Sequence, residues 1–130
     1  LAPVLQGAAA TVALQQAYAE QRLGRRARVD SLLSRAEADL DAREREGFAA
    51  PRLRLQLAAL RGDEEGVVEA LRRWREEPGG DLLAGPQVGI YWIDRDPLLS
   101  GVRSEPAFQA LLAGIRGELD AMRARLASAG

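Results

Sequence analysis

Cysteine, histidine, lysine and asparagine are all absent from this 130-residue chain. Without Cys there is no thiol nucleophile, disulfide, zinc finger or iron–sulfur ligand, and without His there is no imidazole acid–base chemistry. Without Lys, Schiff-base formation and a phosphate-loop lysine also drop out. A surplus of either charge is missing too. Eighteen basic residues, every one an Arg, stand against 19 acidic ones for a net charge of −1, which argues against a duplex nucleic-acid binder. Residues 1–19 carry no charge, yet they have no basic leader, and Gln6, Gln15 and Gln16 interrupt any continuous apolar run. They read as an Ala-rich helix rather than a signal peptide or membrane span. No membrane insertion is expected, and a cytoplasmic setting is the working expectation. Because the chain begins with Leu1, a piece of a longer protein is expected.

What remains is mostly carboxylate, hydroxyl and arginine chemistry on a helical composition. The chain is 47% hydrophobic and 28% charged, enough for a core, and Ala, Leu, Arg and Glu dominate over β-branched residues. Gly and Pro divide it into segments. Ala8–Leu23 is a first helix with Ala10, Ala13, Leu14 and Ala17 on one face, stopped by Gly24. Arg26–Glu46 carries the stripe Val29, Leu32, Leu33, Ala36 and Leu40, stopped by Gly47. Pro51 suits the first turn of a third helix with Leu53, Leu57 and Leu60, ending at Gly62. Asp63 is placed to cap a fourth, with Val67, Leu71 and Trp74 inward and Pro78, Gly79 and Gly80 closing it. Residues 79–104 are irregular, with one short packed helix expected around Val88–Ile93. Pro106 opens a last helix to Ala127, whose Phe108, Leu112, Ile115, Leu119, Met122 and Leu126 alternate by four and three, a seam for packing on other helices.

The two helix pairs, 8–46 and 51–77, repeat one pattern. Relative to Gly24 and Gly62, Val29 matches Val67, Leu33 matches Leu71 and Ala36 matches Trp74, a constant shift of 38 residues. Ala17, Gly24, Val29, Leu33 and Ala36, then Leu55, Gly62, Val67, Leu71, Trp74 and Pro78, resemble the tetratricopeptide repeat family, and Leu60-Arg61-Gly62-Asp63-Glu64-Glu65 is similar to its inter-helix turn. The stretches Tyr91–Leu98 and Arg103–Leu112 look like the end of such arrays in larger bacterial signalling or regulatory proteins. Trp74 and Leu55 stand where the family usually has a small residue, so the repeats are divergent. The resemblance implies an all-α, right-handed stack of two antiparallel helix pairs, an α-solenoid, closed by the irregular segment and the long capping helix 106–127.

Little in the chain points to catalysis. Glu64-Glu65 and Glu76-Glu77 diverge by about 100° on a helix and are not paired acids. Asp94 and Asp96 flank Arg95 before Pro97, as a cap for the next turn, without the oxygen ligands of a calcium loop. Gly79-Gly80 and Gly85 lack the spacing of a phosphate cradle. Ser31, Ser34, Ser100, Ser104 and Ser128 have no activating base. No enzyme activity, metal or cofactor is expected. Arginines cluster at Arg22, Arg25, Arg26 and Arg28 and at Arg72, Arg73 and Arg75. These read as a salt-bridged surface or as contacts for an anion or acidic peptide.

The resemblance also implies a concave groove lined by the first helix of each pair: Thr11, Leu14, Gln15, Tyr18, Gln21 and Arg22, then Arg52, Gln56 and Ala59. Tyr18, Arg22, Arg52 and Gln56 are the expected partner-binding residues, without a core role. The Lys/Asn clamp of chaperone-binding members is missing, so an extended or helical peptide gripped by Arg, Gln and Tyr is the expected ligand. The partner is a protein, a peptide or another domain of the parent chain, not a nucleic acid. Two alternatives stand beside this: a small-molecule sensor with a pocket where residues 82–99 meet the stack near Trp92, and a structural cap that forms a homodimer through the Leu112/Leu119 face of the C-terminal helix.

Overall fold

Three glycines with positive φ shape the first half of the molecule. In the computed structural model, which describes residues 2–76 and 90–129 and the side chains of 9–76 and 92–129, helix α1 (Ala2–Arg22) turns at Gly24 into α2 (Arg26–Arg45). Gly47 separates α2 from α3 (Pro51–Arg61), and Gly62 separates α3 from α4 (Glu64–Glu76). All three adopt the left-handed conformation, at φ 73°, 90° and 69°, which only Gly enters without strain. The hydrogen bonds around them form the same double closure. Arg25 N donates to Glu20 O and Gly24 N to Gln21 O; Asp63 N donates to Ala58 O and Gly62 N to Ala59 O; Phe48 N donates to Arg43 O and Gly47 N to Glu44 O. This is the Schellman closure, which satisfies carbonyls that a helix end would otherwise leave open. Asp63 caps α4 as expected, its Oδ1 accepting from Gly66 N at 2.9 Å.

Short turns force antiparallel neighbours, and α1 packs chiefly on α2, α3 on α4, with α3 also touching α1 and α2. Two apolar cores result. One joins the stripe Val29, Leu32, Leu33, Ala36 and Leu40 to Ala10, Ala13, Leu14 and Ala17, with Leu57 and Leu60 entering from α3. The other joins Leu55 and Ala59 to Val67, Leu71 and Trp74, then to Phe108, Leu112 and Ile115. Helix α3 therefore buries two faces, one into each core. Charges lace α2 to α3: Arg54 donates to Glu44 at 2.8 Å and Asp41 at 2.6 Å, and Arg61 to Glu37 at 2.7 Å.

Beyond residue 89, α5 (Ile90–Ile93) and a 3₁₀ turn (Pro97–Leu99) precede α6 (Pro106–Ala129). The 3₁₀ turn sits astride the two cores, Leu98 in the first and Leu99 in the second. Arg75 of α4 pairs with Glu118 of α6, and Arg116 of α6 with Asp94.

The described residues are all-helical, with no strand among them. Helix α1 starts at Ala2, earlier than expected at Ala8, because Pro3 is tolerated in a first turn and Gly7 does not break an Ala-rich helix. The closing of the fourth helix by Pro78, Gly79 and Gly80, and Val88 of the short helix, lie outside the described residues. The seam of α6 is buried only over Phe108, Leu112 and Ile115; Met122 is 38% and Leu126 73% exposed. Length explains this: α6 has 24 residues and runs roughly 36 Å, against 13 residues and roughly 20 Å for the α4 it packs on.

Candidate functional site

Of the four residues expected to bind a partner, Tyr18 contacts Arg22, while Arg52 and Gln56 both approach Asp96. Tyr18 and Arg22 stand one turn apart on α1. The Arg22 guanidinium lies 5.8 Å from the Tyr18 ring centroid and its Nη1 donates to the Tyr18 hydroxyl at 3.4 Å. Tyr18 is half-buried against the first core and Arg22 is exposed. Thr11 and Gln15 of the same helix are exposed, but Leu14 is fully buried.

Arg52 and Gln56 meet the chain's own C-terminal part. Gln56 is 4% exposed, and its Nε2 donates to Asp96 Oδ2 at 2.6 Å. The expectation that Gln56 has no core role is therefore corrected: the segment before the 3₁₀ turn covers this face of α3. Asp96, also 4% exposed, accepts from Leu98 N at 3.0 Å through Oδ1, as the cap expected before Pro97. Arg52 approaches the same carboxylate at 3.9 Å and stacks 4.2 Å from the Trp92 ring. Arg103 fixes the turn from behind, its Nη2 donating to Asp96 O at 2.7 Å and Ile93 O at 3.1 Å. A buried carboxylate accepting from Gln56 and Leu98, with Arg103 holding the backbone carbonyls of the same turn, orders the segment. Around Arg52, Trp74, Trp92 and Leu99 no room for a water molecule is left. Ala59, another expected groove position, is core.

An open depression of about 710 Å³ lies elsewhere. Its walls are the two inter-helix turns, at Gly24 and Gly62, and the end of the 3₁₀ turn at Ser100 and Gly101. Val29, Leu33, Leu60 and Leu98 form its apolar floor, while Gln21, Arg26, Asp30 and Arg61 add polar groups. Gln21 Nε2 ties the α1 wall to the α3 wall by donating to Leu60 O at 3.3 Å. The Arg61 hydrogen bond and charge hold the Glu37 carboxyl below the usual carboxylate range. A volume of this size falls within the roughly 300–1,000 Å³ of ligand-binding clefts. None of Tyr18, Arg22, Arg52 or Gln56 lines it. Sequence reasoning read Gly24 and Gly62 as helix stops and missed them as walls of one depression.

The depression offers apolar contact and arginine hydrogen-bond donors. Among the described residues, no group of three or more acidic side chains is placed to hold a metal ion, and no helix is long and apolar enough to cross a membrane. Comparison with protein-family models, with curated proteins and with solved structures finds no match for this chain. The class that fold and site define is an all-helical protein with an open, arginine-bearing cleft between two helix turns.

Proposed function

We propose that the chain is a non-enzymatic protein-interaction module, a divergent tetratricopeptide-like stack of two helix pairs, which binds a peptide segment of a partner protein or of its own parent chain. Support for the repeat comes from the sequence register, which sets Gly24, Val29 and Leu33 38 residues before Gly62, Val67 and Leu71, and from the antiparallel packing of α1 on α2 and of α3 on α4. The observation that carries the binding reading is the open depression between those turns, whose floor is apolar and whose rim is polar. That combination suits an extended segment that anchors a side chain and hydrogen-bonds its flanks. The site proposed is therefore the turn side of the stack. Tyr18 and Arg22 remain on an accessible face of α1, but Arg52 and Gln56 hold the chain's own Asp96. The filled space around Trp92 speaks against a sensor pocket built from the described residues.

Display of random peptides against the whole chain tests this, with Gly101→Trp as the control. Gly101 lines the depression and a Cβ there meets nothing within 4 Å, so an indole at this edge should obstruct it without a clash at Cβ. Peptides should enrich on the parent chain and lose binding to Gly101→Trp at unchanged helicity. No enrichment, or enrichment indifferent to Gly101→Trp, contradicts the proposal.

A further inference from the structure

We infer that the depression recognises the main chain of its peptide, accepting N–H groups of an extended segment on open glycine carbonyls, while the charge of the segment's side chains counts for little. The inference rests on the peptide-binding reading above and names the chemistry by which that site holds its ligand. Glycine has no side chain, so Gly24, Gly62 and Gly101 line the depression with main-chain atoms alone. Two of their three N–H groups are already engaged: Gly24 N donates to Gln21 O and Gly62 N to Ala59 O, both at 3.1 Å. Their carbonyls are open. Among the described residues nothing donates to the carbonyl oxygens of Gly24, Gly62 or Gly101. For Gly24 and Gly62 the helix end explains this, because the closure satisfies carbonyls inside the last turn and the glycine's own carbonyl lies beyond it. Leu60 O, by contrast, is taken by Gln21 Nε2 at 3.3 Å.

Open acceptors call for a ligand with donors, and a peptide main chain brings one N–H per non-proline residue. The glycines also let it come close, since a Cβ built on any of the three meets nothing within 4 Å. Charge sets no competing rule. Arg26 and Asp30 both line the depression, one turn apart on α2, and Arg61 is met by Glu37 at 2.7 Å. Asp63, Glu64 and Glu65 are exposed beside the Gly62 wall. Both signs therefore surround the mouth, and neither an acidic nor a basic segment finds a complementary field there. What is left is main-chain hydrogen bonding above the apolar floor of Val29, Leu33, Leu60 and Leu98. Strand-like peptide recognition divides its work in the same way, with main-chain bonds for affinity and a side-chain pocket for choice.

Backbone ester scanning tests this on the whole chain, with the perturbation placed in the peptide so that the fold is untouched. A peptide enriched by the display experiment is resynthesised, end-capped and labelled, with each backbone amide in turn replaced by an ester. The ester removes the N–H and leaves every side chain in place. Fluorescence anisotropy should show a loss of about fivefold at two or more positions. No two of these should be adjacent, because N–H groups on one edge of an extended chain recur at every second residue. Exchanging the peptide's charged residues for Gln, or raising the salt, should change its affinity little. Carbonyl carbon shifts of Gly24, Gly62 and Gly101 in the isotopically labelled chain should move with the parent peptide, and each weakened ester should leave at least one of them unmoved. Losses at no position, at adjacent positions or at every position alike, unmoved glycine carbonyls, or an affinity set by charge and salt each overturn the inference. If peptides enrich and lose binding to Gly101→Trp while every ester binds like the parent peptide, the interaction module stands and only its main-chain recognition falls.

Discussion

Replacing Asp96 by Ala removes the acceptor that joins the C-terminal part of the molecule to α3. Gln56 Nε2, now 2.6 Å from Asp96 Oδ2 and 4% exposed, becomes a buried donor without its partner, which costs about 1–3 kcal/mol. Leu98 N loses its cap at 3.0 Å, adding roughly 1 kcal/mol by analogy with helix N-caps. Relief of the buried carboxylate's desolvation offsets part of this. The net expectation is a loss of about 2–3 kcal/mol, or roughly 10 °C in melting temperature for a chain of this size. Asp96→Asn keeps one acceptor and should fall between parent and Asp96→Ala. Urea denaturation of Asp96→Ala, Gln56→Leu and the double variant closes a mutant cycle, in which a coupling of about 1–2 kcal/mol is expected because each side chain satisfies the other. Strict additivity, or an Asp96→Ala variant within about 0.5 kcal/mol of the parent, would refute the view that this contact orders the segment.

Leu33→Asp and Leu71→Asp place an unpaired charge where the side chains are 3% and 0% exposed; both should unfold the chain or cost more than about 3 kcal/mol, and a parent-like melt of either would remove that residue from the core. Acrylamide should quench Trp92, 42% exposed beneath Arg52, and spare Trp74, 2% exposed; the difference between Trp92→Phe and Trp74→Phe emission checks this. Hydrogen bonds from Arg61 and Arg54 hold Glu37 and Asp41 below their ordinary 4.5 and 3.8. Their contribution is complete above those values and is lost as pH falls through the lower folded ones, so urea midpoints should drop on acidification, and less steeply in Glu37→Gln. Glu105 is pushed the other way by burial and then by the charge of Glu64. Its ionised form is disfavoured in the fold, so Glu105→Gln should be neutral or stabilising at neutral pH; clear destabilisation there would contradict the sign.

Periodicity made the first core legible. Val29, Leu32, Leu33, Ala36 and Leu40 are the buried residues of α2, because one face of that helix meets one partner, and a stripe of apolar residues reports that directly. The helix stops were legible for a similar reason, since a left-handed position selects Gly from within a few residues of chain. Helix α3 was harder. Leu55 and Ala59 face one core while Leu57 and Leu60 face the other, so no single stripe marks its inside. The burial of Gln56 depends on Asp96, forty residues away, and nothing local announces such a contact. Hence Gln56, expected in the groove, became an internal support, with Arg52 part-exposed over the same carboxylate. Likewise the depression is assembled from three short turns, each ordinary in sequence, and emerges only once the fold brings them together.

Backbone amide shifts of the isotopically labelled chain, recorded on titration with a peptide enriched by display, test the central claim most directly. Binding between the turns predicts that the largest shifts gather at residues 21–30, 59–62 and 98–101, with Thr11, Gln15, Arg52 and the last turns of α6 unmoved. Shifts gathered on Tyr18 and Arg52 would return the site to the face of α1 and α3. Shifts confined to Met122 and Leu126 would assign binding to the uncovered seam. Either result would contradict a binding site between Gly24, Gly62 and Gly101.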